Sequence, residues 1–418
     1  MEETRLNPVA PGQRIGVLDA LRGFAIFGIL VVNVLYFFNP LLTPVAEAGA
    51  PFADRVVKFL TTALFDSKFY TTFSFLFGLG MYIQWSRAQE RGVRFLPLYL
   101  RRLLVLALFG AAHGVLLWTG DILFLYAIAG TIASLLFIGR SPKTLLVWAI
   151  VLIALPLFLV AVSAGLIELA RSAPAETGAW EEVQQSFAAQ QESANQIRAE
   201  ATQAYTSSSW LEVTRFRVKE FFGYSLTARL FTIPTILGMF LLGIRAGRKG
   251  WFTDLEGHLP VFRRLFKWAL PVGLVLSLLM AGTGFEQSSL ATEVLTFMHA
   301  AQLSALNIGG VLLALSYISL IVLVSRSVRG AHLLGPFRAV GRMALTNYIL
   351  QSLVMSTLAY GYGAGLFNSI GLLAGFLLAI GLYVLQVPLS TWWLSRRRYG
   401  PLEWLWRVLT YGRRASGR

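Results

Sequence analysis

Residues Leu18–Phe37, LDALRGFAIFGILVVNVLYF, decide how the whole chain is read. An apolar run of this length is what an α-helix needs to cross a bilayer. Yet it carries Asp19, Arg22 and Asn33. A charged group inside a spanning helix costs roughly 2.5–3.5 kcal/mol on insertion scales, so such groups face protein or a water-filled cavity, not lipid. Arg22 and Asn33 lie eleven residues apart. Three helical turns put them on one face, about 16 Å from each other. Asp19 precedes Arg22 by three positions, within pairing reach. The stripe is either a structural ion pair with an interhelical hydrogen bond or one wall of a functional cavity.

The rest of the chain resembles this stretch in character. Of 418 residues, 56% are hydrophobic and only 14% charged, against about 25% charged in an ordinary soluble domain. Mean hydropathy is +0.63. Apolar blocks of spanning length occupy residues 15–38, 69–86, 103–119, 122–139, 144–167, 227–245, 267–283, 303–324, 338–360 and 370–394. The expectation is an all-α polytopic transmembrane bundle of about ten spanning helices, a single integral membrane domain over residues 1–418. The first block is too long for a signal-peptide core and no small-residue cleavage site follows it, so it is read as a retained first helix. No cysteine is present, which excludes disulfides, thiolate nucleophiles and Cys-based metal sites.

Charge sets the orientation. The net charge of +15 comes from 36 Lys and Arg against 21 Asp and Glu, and it follows the basic enrichment of cytoplasmic loops, with no nucleic-acid partner expected. Arg87, Arg91, Arg94, Arg101 and Arg102 fill one gap; Arg140 and Lys143 fill another. Further basic clusters surround Arg248, Arg326 and Arg397. With both termini cytoplasmic, every one of these gaps falls inside. Residues 168–226 then form an extracytoplasmic insertion between helices five and six. It contains an amphipathic helix carrying Val183, Phe187, Ala194, Ile197, Ala201 and Tyr205 at helical spacing. A capping box at Ser209–Glu212 opens another, whose Arg215, Arg217 and Lys219 beside Phe216, Phe221 and Phe222 suit a membrane surface.

Polar residues inside the blocks are the candidate site. His113, in FGAAHGVLLWTGDILFLYA, precedes Asp121 by eight residues across a Thr119–Gly120 turn. Asp121 is either the N-cap of the next helix or the carboxylate that orients His113, the usual arrangement of a general base. His299 in TFMHAAQ and Arg229 lie near the same outer side, while GRMALTNYILQS carries Arg342, Asn347 and Gln351. Gly78, Gly80, Gly238, Gly243 and Gly247 suit close helix approach. Small-residue faces of this kind permit a homodimer.

RIGVLDALRGFAIFGILVVN, FSFLFGLG, AAHGVLLWTGDILFLYA and GRMALTNYILQS, in that order, resemble the successive signatures of the bacterial YeiB-like membrane proteins. That family in turn resembles the transmembrane acyltransferases, among them heparan-alpha-glucosaminide N-acetyltransferase and the acyltransferase-three enzymes. The wider link rests on LDALRG followed, ten residues later, by a polar residue; Asn33 matches the asparagine of the heparan enzyme. The catalytic histidine of that enzyme follows shortly after its asparagine, whereas here no histidine occurs between Asn33 and His113. Either His113 takes its place or the chemistry differs.

The resemblance implies a bacterial inner-membrane protein in which acyl-CoA or acetyl-CoA, as cytoplasmic co-substrate and without a metal, donates to an extracytoplasmic small-molecule, lipid or glycan acceptor. Arg22, Arg102, Arg342 and Asn347 would hold the donor. Asn33 would bond the thioester oxygen, and His113 with Asp121 would take the acceptor's proton. Asp19, His299 and Arg229 would line the acceptor side. The alternative function is transport of a small amphipathic molecule, and a third possibility is a structural role.

Overall fold

The structure, a computed structural model, describes residues 16–40, 50–284 and 294–412. Among these residues it is helical, with no strand. In chain order the helices are α1 (Gly16–Phe37), α2 (Phe52–Leu64), α3 (Lys68–Glu90), α4 (Phe95–Leu116), α5 (Leu123–Ile132) and α6 (Pro142–Ser172). There follow α7 (Ala179–Thr206), α8 (Trp210–Glu220), α9 (Leu226–Leu230), α10 (Ile233–Arg248), α11 (Leu255–Gly282) and α12 (Phe297–Val324). The chain ends in α13 (Val328–Leu333), α14 (Gly335–Arg342), α15 (Ala344–Ala359), α16 (Leu372–Arg396) and α17 (Pro401–Tyr411).

Each apolar block of the sequence coincides with helix. Six of them, α1, α4, α6, α11, α12 and α16, are by themselves long and apolar enough to cross a membrane. The chain is therefore a membrane protein. α6 shows why: Val147, Ile150, Phe158, Leu166 and Leu169 are all exposed, a surface that water would not tolerate and lipid does. Its start is set by Ser141, whose hydroxyl accepts from the Thr144 amide, with Pro142 at the first helical position.

α1 is the buried axis of the bundle and packs against α3, α14, α15 and α16. Its crossing with α14 is a backbone-to-backbone contact. A Cβ on Gly23 would overlap the Phe337 carbonyl oxygen, and one on Gly341 would overlap that of Asp19. This close approach carries Arg342 to the end of α1 that holds Asp19 and Arg22. α3 and α10 meet in the same manner through Gly78 and Gly243. α15 and α16 are joined by buried amides: Gln351 Nε2 donates to Gln386 Oε1 at 2.8 Å, and Asn347 Nδ2 donates to Ser390 Oγ at 3.0 Å.

The region 168–226 departs from its expected surface role. α7 and α8 fold over the ends of α4, α5 and α15. Arg217, expected at a membrane surface, is fully buried. Its guanidinium donates to the Leu116 carbonyl at 2.7 Å and the Tyr362 hydroxyl at 3.1 Å, and lies 4.7 Å from the centre of the Tyr360 ring. Glu220, also buried, accepts from Thr119 Oγ1 at 2.8 Å and from the Tyr205 hydroxyl. Arg217 and Glu220 face inward, where the end of α4 offers carbonyls that need donors, while Arg215 and Lys219 remain exposed. Only half of the Ser209 capping box forms: Ser209 Oγ accepts from the Glu212 amide, while the Glu212 carboxylate takes the Ser207 hydroxyl.

Candidate active site

One end of the bundle is basic. There the first turns of α1 and α4, the last turn of α3, α14 and α17 surround the mouth of a cavity of about 340 Å³. Arg22, Arg87, Arg102, Arg342 and Arg407 line it, against the carboxylates of Asp19 and Glu403. Arg22 Nη1 donates to Asp19 Oδ1 at 2.9 Å. Arg102 stacks 3.8 Å above Trp406, whose indole nitrogen donates to the Arg102 carbonyl at 3.1 Å. Away from the mouth the walls become apolar, formed by Ile26, Ile29, Phe73, Leu76, Phe77 and Leu106. Gly80 borders open space here, since nothing lies within 4 Å of where its Cβ would stand. At the deep end stand Ile122, Tyr126 and Tyr348.

His113 lies directly behind Tyr348, with ring centres 4.9 Å apart. Its Nδ1 is 2.8 Å from Asp121 Oδ2, and both residues are buried. The other carboxylate oxygen, Oδ1, accepts from the Phe124 amide at 2.8 Å. Asp121, one residue before the N-cap Ile122, thus both takes an amide of the first turn of α5 and partners His113. A carboxylate accepts only, so Nδ1 carries a proton, and in the neutral imidazole Nε2 is the acceptor. That nitrogen is buried and has no hydrogen-bond partner. Arg229 Nη1 donates to the Asp121 backbone carbonyl at 3.0 Å and fixes the turn from outside. Beyond the turn, Arg217 and Glu220 cover the far end.

α17 closes the mouth. Glu403 accepts from the Leu345 amide at 2.7 Å, the Thr346 amide at 3.1 Å and the Thr346 hydroxyl at 2.6 Å. It caps α15 from another helix and neutralises the amides left unpaired at that N-terminus. Burial pushes its carboxyl above the ordinary carboxylate range, and the bonds from Thr346 and Leu345 oppose that rise.

Residues 246–413 match the family model described as "Protein of unknown function (DUF418)". Over the whole chain, the uncharacterized protein YxaH of Bacillus subtilis is 34% identical across 430 aligned positions, 97% of this chain and 96% of YxaH. The chain belongs to this family. The uncharacterized protein YeiB of Escherichia coli is 29% identical, covering 97% of this chain and 98% of its own length. An uncharacterized 39.9 kDa protein of Bacillus acidopullulyticus is likewise 29% identical over 98% of this chain and 97% of its own. No solved structure matches significantly. Within the DUF418 segment lie Arg342, Tyr348, Glu403 and Trp406, one wall of the cavity.

The structure brings together most residues singled out in the sequence. Asp19, Arg22, Arg102 and Arg342 line the mouth, while His113, Asp121 and Arg229 are held together behind Tyr348 and do not themselves line the cavity. Three stand elsewhere. Asn33 is half-buried and does not line the cavity; Ile29, one turn earlier, is the last α1 residue that does. Asn347 is held between the Val340 carbonyl and Ser390, so its amide is committed to joining helices. His299 caps α12, trading hydrogen bonds with Thr296, and lines no part of this cavity. Tyr348, Arg87, Arg407 and the whole of α17 are additions. Pro401 followed by Glu403 and an apolar face was a readable helix start, whereas Tyr348 is too ordinary in an apolar block to stand out.

Proposed function

We propose that this protein is an acyl-CoA-dependent transmembrane acyltransferase of the bacterial inner membrane. It has about ten spans, both termini cytoplasmic, and the basic mouth facing the cytoplasm. The observation that carries the reading is a cavity lined by five arginines at one end and by Tyr348 at the other, with a carboxylate-partnered histidine packed directly behind Tyr348. Arginine clusters suit phosphates, and an apolar passage suits a pantetheine arm and its acyl group.

Length supports the same assignment. Arg102 and His113 lie on one continuous helix, eleven residues apart. That step measures about 16 Å, comparable to an extended pantetheine arm from diphosphate to sulfur. With the phosphates at Arg22, Arg102 and Arg342, the thioester reaches the level of His113. There the acceptor's hydroxyl or amine gives its proton to His113 Nε2 while its oxygen or nitrogen bonds the carbonyl carbon. On collapse the C–S bond breaks and the proton passes to the leaving thiolate. Asp121 holds the ring in the tautomer this requires. With no cysteine in the chain, direct transfer is the simplest course. The acceptor is a small molecule, lipid or glycan at the membrane surface.

Membranes containing the wild-type protein, given acetyl-CoA or a longer acyl-CoA labelled in the acyl group, should transfer label to such an acceptor. His113→Ala should transfer none while binding donor as before. Equal transfer by the variant would remove His113 from the mechanism, and absence of donor binding by either protein would favour transport of an amphipathic molecule through the same cavity.

A further inference from the structure

The acyl-transfer reading needs a hydrogen-bond donor for the thioester oxygen, where negative charge develops as the acceptor attacks. Asn33, the residue matching the family resemblance, is not on the cavity wall. The other amide of the neighbourhood, Asn347, is committed to Val340 and Ser390. One polar atom remains at the deep end. Tyr348 lines the cavity, is 3% exposed, and its hydroxyl has no hydrogen-bond partner. The Ile122 backbone amide lies beside its oxygen, and the hydroxyl proton has no acceptor. A buried hydroxyl left without an acceptor costs about 1–3 kcal/mol, so its retention on the wall of this cavity asks for a ligand that accepts from it.

We infer that the Tyr348 hydroxyl donates to the thioester carbonyl oxygen, the role expected of Asn33, and that with His113 Nε2 it brackets the reacting carbon. The inference rests on the acyl-transfer reading. The Tyr348 ring packs against the His113 ring, centres 4.9 Å apart, so the phenol and the imidazole are immediate neighbours. Asp121, whose charge acts on the phenol, and Arg229, which holds the Asp121 carbonyl, keep the two in place. As the acceptor bonds the carbonyl carbon and His113 takes its proton, the carbonyl electron pair moves onto oxygen and is held by the phenolic O–H. The pair returns when the C–S bond breaks, and the thiolate leaves with the proton from His113. Tyr348 exchanges no proton in the cycle.

The test compares binding of acetyl-CoA and hexanoyl-CoA with their thioethers S-ethyl-CoA and S-hexyl-CoA, which lack only the carbonyl oxygen. Purified full-length wild type is set beside Tyr348→Phe and Asn33→Ala, each checked by thermal unfolding. Wild type and Asn33→Ala should prefer the thioesters by about fivefold, and Tyr348→Phe should bind thioester and thioether alike. A preference that survives in Tyr348→Phe, or that disappears in Asn33→Ala, would overturn the assignment of Tyr348. So would equal binding of thioester and thioether by the wild type. If the wild type binds none of the four, the acyl-CoA reading itself fails, which is a different result.

Discussion

Asp121 does two jobs with two oxygens. One receives the Phe124 amide and starts α5; the other receives His113. Asp121→Asn separates these roles, because an amide oxygen can still cap the helix while the NH₂ group cannot accept from Nδ1. The imidazole then turns its proton toward Nε2, the position where a base must be bare. Turnover should fall about 10²–10⁴-fold with donor affinity unchanged, as read by kcat beside a binding titration. Loss of donor affinity in step with turnover would instead make Asp121 a structural residue. The sequence made the His113–Asp121 pair legible because both residues flank one tight turn. It could not choose between cap and partner, since nothing in the spacing excludes either, and the geometry shows that both hold. Asn33 and His299 were misplaced for the opposite reason. Periodicity gives the face of a helix, but the neighbour that covers that face depends on a distant part of the chain.

α17 shows what a hydropathy profile passes over. It is short and amphipathic, yet through Glu403, Trp406 and Arg407 it forms part of the cavity mouth. Arg101 Nε also donates to the Leu409 carbonyl at 2.9 Å, fastening α17 along α4. The raised Glu403 carboxyl makes this docking pH-dependent, and the sign follows from linkage. When the folded-state value lies above the unfolded one, the folded protein binds more protons in the window between them, and stability falls as pH rises through it. Glu403→Gln stays neutral throughout. Relative to wild type, the variant should therefore gain thermal stability as pH rises from about 4.5, the ordinary glutamate value, through the raised folded value. A difference that does not change with pH across that range would contradict the account. α2 was missed for the same reason as α17, while the long blocks were rightly read as helices, six of them long and apolar enough to span a membrane. The 168–226 helices were foreseen as helices but not as a cover, since Arg217 and Glu220 look solvated until the ends of α4 and α5 are set against them.

At the scale of the molecule, the bundle has a basic end and a covered end, joined by a cavity whose walls change from arginine to aliphatic to aromatic. Asp19 and Arg22 are tolerated in α1 because they line the mouth, and the cost of Arg22 is offset by its 2.9 Å bond to Asp19. The shared length and near-complete coverage with YxaH and YeiB extend over both halves of the cavity wall. The measurement that tests the central claim most directly is equilibrium binding of acetyl-CoA and a longer acyl-CoA to purified protein, wild type beside Arg22→Ala. The account predicts micromolar binding by the wild type, weakened roughly 10–100-fold by loss of one charged hydrogen-bonding partner. No binding at millimolar donor, or equal binding by the two proteins, would contradict it.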